Sequence, residues 1–213
     1  MSAAFTGDIA IRDLTGAALD AALDSLGELR IAVFRDFPYL YEGDAAYERD
    51  YLSAYAASEG AIIVGAFDGG RLVGAATAAP MADHAVEFAQ PLRDRGMDIG
   101  RVFYFGESVL LPDYRGRGIG HAFFGRREAH ARDRGFAFAS FCAVLRPVDH
   151  PARPGGYSPL DPFWRGRGFA PVEGLIGHYD WRDVGEAGES SHAMQFWIKS
   201  LDGGPLSTAA QSR

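Results

Sequence analysis

The sequence has only one cysteine, Cys142, among its 213 residues. An internal disulfide is therefore excluded, which is typical of proteins in a reducing compartment, and we expect a cytoplasmic location. No run of 18 apolar residues occurs, so the sequence predicts neither a transmembrane helix nor a membrane partner. The segment 1–13 has no basic stretch and carries Asp8, which argues against a signal peptide.

An excess of positive charge is also absent, since the formal net charge is −7. Proteins that bind nucleic acids normally present a basic face, whereas the basic residues here are concentrated within 115–134. Nucleic acid is therefore not an expected partner. Histidine and cysteine occur nowhere with the spacing of a metal site, and no metal is predicted.

Length and composition predict a single α/β domain over 1–201, followed by a flexible C-terminal tail over 202–213. Hydrophobic residues make up 47% of the chain, which is enough to bury one full core. Hydrophobic periodicity and turn residues predict its elements. The predicted helices are 15–34 with Thr15 as N-cap, 44–57, a helical excursion over 81–100, 118–134, and a short helix over 163–168; the predicted strands are 8–11, 61–67, 72–79, 101–111, 136–144, 169–181 and 192–201.

The most informative segment is 102–124, which reads as a strand, a basic glycine-rich turn and the start of a helix. Glycines in such a turn allow the backbone to approach phosphate oxygens, and the N–H groups that begin a helix are free to bind them. Arginines add cationic donors suited to phosphate. We therefore expect a phosphate or diphosphate group to bind here. The residues concerned are Arg115, Gly116, Arg117, Gly118 and Gly120.

The spacing of this turn excludes two common phosphate-binding motifs. A P-loop requires Lys-Ser or Lys-Thr after its glycines, and neither is present. A dinucleotide fingerprint that begins at Gly116 requires glycine or alanine at the sixth position, which is His121. The pattern that fits is R/Q-x-x-G-x-G/A, filled by Arg115, Gly118 and Gly120. In these residues the chain resembles the GCN5-related N-acetyltransferase (GNAT) superfamily.

A second resemblance to this superfamily is carried by the segment 161–169, which matches its F-Y-x-x-x-G-F pattern at Phe163, Gly168 and Phe169. Trp164 replaces the tyrosine of the pattern. The resemblance implies a central, mixed, mostly antiparallel twisted sheet of about six to seven strands, flanked by helices and splayed between the fourth and fifth strands.

The resemblance also implies that the cofactor is acetyl-CoA, with its pyrophosphate on the glycine-rich turn and its pantetheine arm along the preceding strand. A backbone N–H of Leu110 or a neighbour would contact the thioester oxygen. The implied cofactor-binding residues are Val109, Leu110, Leu111, Arg115, Gly116, Arg117, Gly118, Ile119, Gly120 and Phe163.

Glu107 is the leading candidate for the general base, because several enzymes of the superfamily place a glutamate on this strand. The alternative is that Glu107 is a solvated or ion-paired strand residue. Tyr157 is the candidate general acid in place of the tyrosine lost at Trp164, and the simpler alternative is that it packs beneath the long loop 146–162. Cys142 and His150 are weaker candidates for the same role.

The resemblance places the acceptor pocket near the first two helices and their loop, so Asp36, Tyr39 and Tyr41 are candidate substrate-binding residues. We interpret the protein as an acetyl-CoA-dependent N-acetyltransferase that transfers acetyl directly to a primary amine of a small molecule. The alternatives are a protein or peptide N-acyltransferase, one that transfers a larger acyl group, and a non-catalytic module that binds coenzyme A. The aromatic segment 194–201 could form a homodimer interface.

Overall fold

The computed structural model describes residues 9–84 and 86–204, which form one seven-stranded sheet with helices on both faces. The strands are β1 (Ala10–Leu14), β2 (Ile62–Asp68), β3 (Arg71–Pro80), β4 (Val102–Leu110), β5 (Phe138–Val144), β6 (Ala170–Trp181) and β7 (Ser190–Ser200). The α-helices are α1 (Ala17–Asp20), α2 (Leu23–Phe34), α3 (Ala45–Ala57), α4 (Val86–Asp94), α5 (Ile119–Asp133) and α6 (Asp161–Gly166). Among the described helices, none is long and apolar enough to cross a membrane.

The sheet has the strand order β1-β2-β3-β4-β5-β7-β6, and every neighbouring pair is antiparallel except β4 and β5. The parallel pairing covers only Val102–Tyr104 against 138–140, although both strands continue well beyond it. The two strands therefore diverge after Tyr104 and open a gap in the middle of the sheet. This arrangement confirms the predicted mixed, mostly antiparallel sheet splayed between its fourth and fifth strands.

The central strands form where the sequence predicts them, because their local signals are strong. The turn between β2 and β3 contains Gly69, whose positive φ of 59° suits a tight hairpin, and Asp68 pairs with Arg71 across it. The continuous apolar run of β5 is buried over its first five residues, as expected for a strand covered on both faces.

Three hydrophobic clusters hold the helices on the sheet. One lies between the sheet and α5 and is rich in phenylalanine, including Phe105 and Phe123. A second packs α2 and α3 on the same strands through Leu26 and Leu52. The third lies under α4 and contains Tyr104. Because β4 contributes to all three clusters, its polar side chains are held between well-packed layers.

Three sequence predictions near the helices are wrong in detail. The helix predicted over 15–34 is divided, since α1 ends at Asp20 and α2 starts at Leu23. Thr15 is not the N-cap, because the chain leaves β1 through Gly16 at φ 50° and the helix begins after that turn. The single helical excursion predicted over 81–100 is instead three short helical pieces. Gly96, at φ 71°, lies between the second and the third of them.

The first strand starts at Ala10 rather than at position 8, which lies outside the described residues. The predicted tail over 202–213 also lies outside them from position 205 onward. The segment proposed as a dimer interface belongs to β7, which lies between β5 and β6. Both edges of that strand are therefore already paired within the chain.

Candidate active site

A cleft of about 1280 Å³ opens where β4 and β5 diverge. One side is formed by the glycine-rich turn, the start of α5 and α6. The other side is formed by the loop 35–40 that follows α2 and by the loop 145–160 that follows β5. The predicted site residues that line the cleft are Asp36, Tyr39, Glu107, Leu110, Arg115, Gly116, Gly118, Ile119, Gly120, Tyr157 and Phe163.

The turn before α5 leaves the N-terminus of that helix open toward the cleft. Gly116 and Gly118 adopt positive φ angles of 74° and 81°, a conformation that a residue with a Cβ adopts only with strain. Gly118 is the N-cap of α5, and no side chain caps the helix. The N–H groups of the first helical turn therefore have no side-chain acceptor and can bind an anion. Gly120 lies against Phe163, whose ring would be 3.4 Å from a Cβ at that position.

The two arginines of the turn differ in position. Arg115 lines the cleft and donates through Nε to the carbonyl oxygen of Leu110 at 3.3 Å. Arg117 lies outside the cleft lining, where it donates to the carbonyl oxygen of Asp113 and stacks over Tyr114. Tyr114 in turn donates to Asp68 at 2.7 Å, which anchors the turn to the β2–β3 hairpin.

The end of β4 directs one peptide group toward the gap. Leu111 donates its N–H to the carbonyl oxygen of Val73 at 3.0 Å, so this residue is bonded to β3. Because bonded and non-bonded residues alternate in an antiparallel pair, the N–H and C=O of Leu110 point away from β3 and toward the splayed side. The side chains of Val109 and Leu111 pack in the cluster beneath α2 and α3 and do not line the cleft.

A β-bulge determines where Glu107 points. Two residues of β4, Gly106 and Glu107, lie opposite the single residue Thr77 of β3. Only glycine fits at position 106, because a Cβ there would lie 2.1 Å from the hydroxyl oxygen of Tyr55. The N–H of Glu107 donates to the hydroxyl of Thr77 at 3.3 Å. The bulge thus turns the Glu107 carboxylate toward α2 and α3 while the residue still lines the cleft.

The Glu107 carboxylate is engaged by two side chains. Nη1 of Arg30, on α2, lies 2.6 Å from its Oε1, and the Tyr51 hydroxyl donates to its Oε2 at 2.9 Å. Arg30 also pairs with Glu48 of α3, and all three charged groups are buried. Burial opposes the charge of Arg30, but Glu107, Tyr51 and Glu48 outweigh it and raise the pKa of the guanidinium. Glu107 is therefore an ion-paired residue at the edge of the cleft.

Arg127, on α5, braces the same part of β4 from the opposite face of the sheet. It is 1% exposed and donates to the carbonyl oxygens of Thr77 and Glu107 at 3.1 and 3.0 Å. Its Nη2 donates to the hydroxyl of Ser108 at 2.6 Å. Burial lowers the pKa of Arg127 to about 9, which still leaves it charged at neutral pH. These bonds hold β3 and β4 together at the bulge that bears Glu107.

The loop after α2 is fastened to the far end of the sheet by an ion pair. Arg146 donates to the carbonyl oxygens of Pro38 and Tyr39 at 2.9 and 2.7 Å. Its two Nη atoms each lie 2.8 Å from a carboxylate oxygen of Asp183. Trp181 donates to the same Tyr39 carbonyl oxygen at 3.1 Å. The loop that bears Asp36 and Tyr39 therefore has a fixed backbone at the cleft wall.

Of the three predicted acceptor-binding residues, Asp36 and Tyr39 line the cleft and Tyr41 does not. The Tyr41 backbone forms a bridge with Asp183. Burial and the nearby Glu48 raise the pKa of Tyr41. Tyr41 thus belongs to the support of the loop.

The candidate acids lie in different environments. Tyr157 lines the cleft and packs edge-on against Phe37, with ring centroids 4.7 Å apart, and burial raises its pKa. Cys142 is buried beside the Tyr104 hydroxyl, and burial raises the pKa of the thiol to about 12, so it stays protonated at neutral pH. Trp164 packs against Phe141. The His150 ring lies 5.7 Å from the Phe37 ring at a tilt of 50° and does not line the cleft.

Sequence reasoning missed three arginines at or beside the site: Arg30, Arg127 and Arg146. Burial of Arg30 and Arg127 could have been predicted, because each lies four residues after an apolar core residue on the same helix face, Leu26 and Phe123 respectively. A charge within the buried stripe of a helix needs a buried partner. Arg146 had no such signal, since its partners come from distant loops.

The chain belongs to the acetyltransferase (GNAT) family, whose match covers residues 26–154 and therefore more than half of the sequence. That range contains the four central strands β2 to β5, including the splayed pair β4 and β5, and the glycine-rich turn. No curated protein sequence matches the chain.

Solved structures with this fold resemble the chain over almost its full length. YncA of Salmonella typhimurium, solved with its cofactor acetyl-CoA, has 13% identity and a TM-score of 0.60 over 93% of this chain and 98% of its own. A phosphinothricin acetyltransferase of Sinorhizobium meliloti, in complex with acetyl-CoA, has 18% identity and a TM-score of 0.58 over 93% and 91%. A ribosomal-protein-alanine N-acetyltransferase of Brucella melitensis has 16% identity and a TM-score of 0.57 over 90% and 99%.

Proposed function

We propose that this protein is an acetyl-CoA-dependent N-acetyltransferase that transfers the acetyl group directly to a primary amine of a small molecule. The observation that carries the proposal is the uncapped N-terminus of α5, which opens from a glycine-rich turn into the cleft between β4 and β5. Family membership and the acetyl-CoA bound to two structural neighbours support it.

The residues of the turn fit a diphosphate. Backbone N–H groups at the start of α5 supply donors, and Arg115 supplies a positive charge at the same wall. The left-handed Gly116 and Gly118 keep this backbone open, since a Cβ at either position would be strained. Phe163 closes the turn against Gly120.

Acetyl-CoA, when bound, supplies an activated acyl thioester. The Leu110 peptide faces the gap and is suited to donate its N–H to the acyl carbonyl oxygen. Glu107 lines the cleft as a buried carboxylate and is our candidate for removing the proton of the acceptor ammonium. Tyr157 lines the same cleft with a phenol that is protonated at neutral pH, and it is our candidate for donating a proton to the leaving sulfur.

Calorimetric titration of acetyl-CoA and coenzyme A tests the first step of this proposal. We expect wild type to bind both ligands, and Arg115→Ala to weaken binding by about tenfold or more, because it removes a charge-assisted contact. Arg126→Ala is the matched control, since Arg126 is an exposed arginine on α5 that pairs with Asp13 outside the cleft. Absence of binding by wild type would refute the acetyltransferase proposal.

Catalysis is then measured as release of free thiol in the presence of an amine panel. Consumption of acetyl-CoA that depends on an amine supports an enzyme, whereas binding without turnover would favour the non-catalytic coenzyme A module. A single domain over 1–201, a cytoplasmic location and a homodimer remain predictions from the sequence.

A further inference from the structure

The side of the cleft opposite the glycine-rich turn depends on a side chain that does not itself line the cleft. This side consists of the loops 35–40 and 145–160, and we call it the acceptor wall. We propose that Arg146 is a positioning residue for the acceptor amine: it sets the shape of the acceptor wall without touching the acceptor. The proposal rests on the proposed function, under which this wall receives the amine.

Arg146 joins two distant parts of the chain through all three nitrogens of its guanidinium group. Nε and Nη2 donate to the carbonyl oxygens of Pro38 and Tyr39, in the loop after α2. Nη1 and Nη2 each lie 2.8 Å from a carboxylate oxygen of Asp183, in the turn between β6 and β7. The Arg146 and Asp183 side chains are 10% and 15% exposed, so water competes little for these contacts. Loss of the guanidinium would therefore release the loop from the sheet.

The backbone of this loop has a conformation that needs such support. Leu40 lies at φ 56°, the left-handed region that a residue with a Cβ adopts only with strain. Its carbonyl oxygen accepts from the N–H of Val184 at 2.6 Å, and Glu42 donates its N–H to the carbonyl oxygen of Arg182 at 2.8 Å. Strained backbone persists where the surrounding structure holds it, and it is concentrated at ligand sites. Contacts with the segment 181–184 thus maintain the shape of the loop.

The anchor of Arg146 is rigid. Trp181 donates through Nε1 to Asp183 at 3.0 Å and to the carbonyl oxygen of Tyr39 at 3.1 Å. The ring of His192, on β7, stacks on the Trp181 indole with centroids 3.8 Å apart. Since β7 is paired along both edges, this anchor is part of the sheet. A change at Arg146 should therefore displace the loop and not the anchor.

The second loop of the acceptor wall rests on the first. Phe37, from the loop 35–40, meets Tyr157 edge-on at 4.7 Å. The guanidinium of Arg153 lies over both rings, 5.9 Å from the centroid of Phe37 and 4.8 Å from that of Tyr157. Displacement of the first loop would therefore remove the support of Tyr157, our candidate acid. Arg146 thus controls both loops that would face the amine.

The glycine-rich turn is held independently of this arrangement. Tyr114 anchors it to the β2–β3 hairpin through Asp68, and its residues line the opposite side of the cleft. A change at Arg146 should therefore weaken binding of the amine and leave acetyl-CoA unaffected. A purely structural role would instead lower the amount of folded enzyme and change neither KM.

The variant Arg146→Lys tests the proposal by steady-state kinetics with the amine of the panel that wild type uses at the highest kcat/KM. Lysine keeps a positive charge beside Asp183, but its ammonium cannot reproduce the planar fork that also reaches two carbonyl oxygens. We expect KM for this amine to rise about tenfold or more, and KM for acetyl-CoA to stay within about twofold of wild type, because only the acceptor wall is displaced.

Lys199→Gln is the matched control, because Lys199 and Glu128 form an ion pair of similar burial outside the cleft lining. This variant should leave both KM values unchanged. Asp183→Asn is the second variant if Arg146→Lys does not fold. It weakens the anchor but keeps one oxygen for Arg146, so KM for the amine should rise about two- to fivefold, with KM for acetyl-CoA unchanged.

Hydrogen exchange reports the loop without any acceptor. The N–H groups of Tyr39 and Leu40 both donate to the carbonyl oxygen of Asp36, so release of the loop exposes them. Mass spectrometry of Arg146→Lys should show exchange about tenfold faster or more in the peptide 35–42 and unchanged exchange in the peptide 112–120. Unchanged exchange in 35–42, an unchanged KM for the amine, or an equal rise in both KM values would overturn the proposal.

Failure of this proposal can be distinguished from failure of the proposed function. If wild type binds acetyl-CoA and acetylates an amine, but Arg146→Lys keeps the wild-type KM for that amine, only the positioning role is wrong. If wild type does not bind acetyl-CoA or uses no amine, the proposed function itself fails, and the positioning role fails with it.

Discussion

Glu107 reaches the cleft with both carboxylate oxygens already in contact with side chains behind it, Arg30 and Tyr51. A carboxylate oxygen can accept more than one hydrogen bond, so these contacts orient the group and still leave lone pairs for an amine or a water molecule. Arg30 is held in turn by Glu48. The ion-paired and catalytic interpretations of Glu107 are therefore compatible, because the pairing can position the base.

The substitution Glu107→Gln separates these roles. If Glu107 removes the ammonium proton, kcat should fall by about 100-fold or more, the usual contribution of a general base. Glutamine keeps the volume, and Arg30 keeps Glu48 as its partner, so the protein should still fold. The measurement is kcat across pH at saturating acetyl-CoA, with thermal unfolding as the folding control. A kcat that matches wild type at every pH would remove Glu107 from the mechanism.

The N-cap glycine of α5 and a glycine in the middle of that helix are in opposite situations. Gly118 is its N-cap at φ 81°, a left-handed conformation, whereas Gly125 lies within the helix, where an added Cβ would meet no atom of another element within 4 Å. A Cβ is strained at the first position whatever the space around it, and unstrained at the second. The same substitution should therefore have opposite effects at the two sites.

We expect Gly118→Ala to lower the free energy of unfolding by about 1–2 kcal/mol, because alanine resists the left-handed conformation. Gly125→Ala should raise it by about 0.5–1 kcal/mol, because glycine is a poor residue inside a helix. Urea denaturation of both variants measures these values. Calorimetry with acetyl-CoA adds a functional control, since only the first variant alters the turn. Two shifts of the same sign would contradict the backbone argument.

Elements whose structure depends on neighbouring residues could be predicted from the sequence, whereas those that depend on distant contacts could not. The hairpin at Gly69, strand β5 and the turn before α5 depend on neighbours in sequence, so their patterns were sufficient. The helical excursion predicted over 81–100 is observed as three separate pieces, because contacts with other elements hold its ends. At the site, the phosphate-binding turn could be predicted, whereas the pairing of Arg30 with Glu107 joins residues 77 positions apart and has no local signature.

The side chain of His84 lies among aromatic residues from three elements of the fold. Its ring packs edge-on against Tyr55 of α3 and Tyr104 of β4, at 5.4 and 4.9 Å, and it lies 6.3 Å from Phe88 of α4. Within the described residues, its buried Nε2 has no hydrogen-bond partner. Burial lowers the pKa of His84 to about 4, and the nearby Glu107 and Asp83 only partly oppose this effect.

The stability of the protein should therefore decrease as the pH falls. In the unfolded chain the histidine takes up a proton near its ordinary pKa of about 6.5, whereas in the folded protein it stays neutral down to about 4. Between these values the unfolded state binds more protons, so the free energy of unfolding falls as the pH is lowered from about 6.5 toward 4.

The variant His84→Phe isolates this contribution, because phenylalanine suits the surrounding rings and cannot take up a proton. Urea denaturation at pH 6.5 and at pH 5, an interval chosen above the usual carboxylate range of about 4, should show a smaller loss of stability for His84→Phe than for wild type. His178→Gln, on the exposed part of β6, serves as the control and should lose as much as wild type. If wild type and His84→Phe lose the same free energy of unfolding between pH 6.5 and pH 5, protonation of His84 is not the cause of the pH dependence.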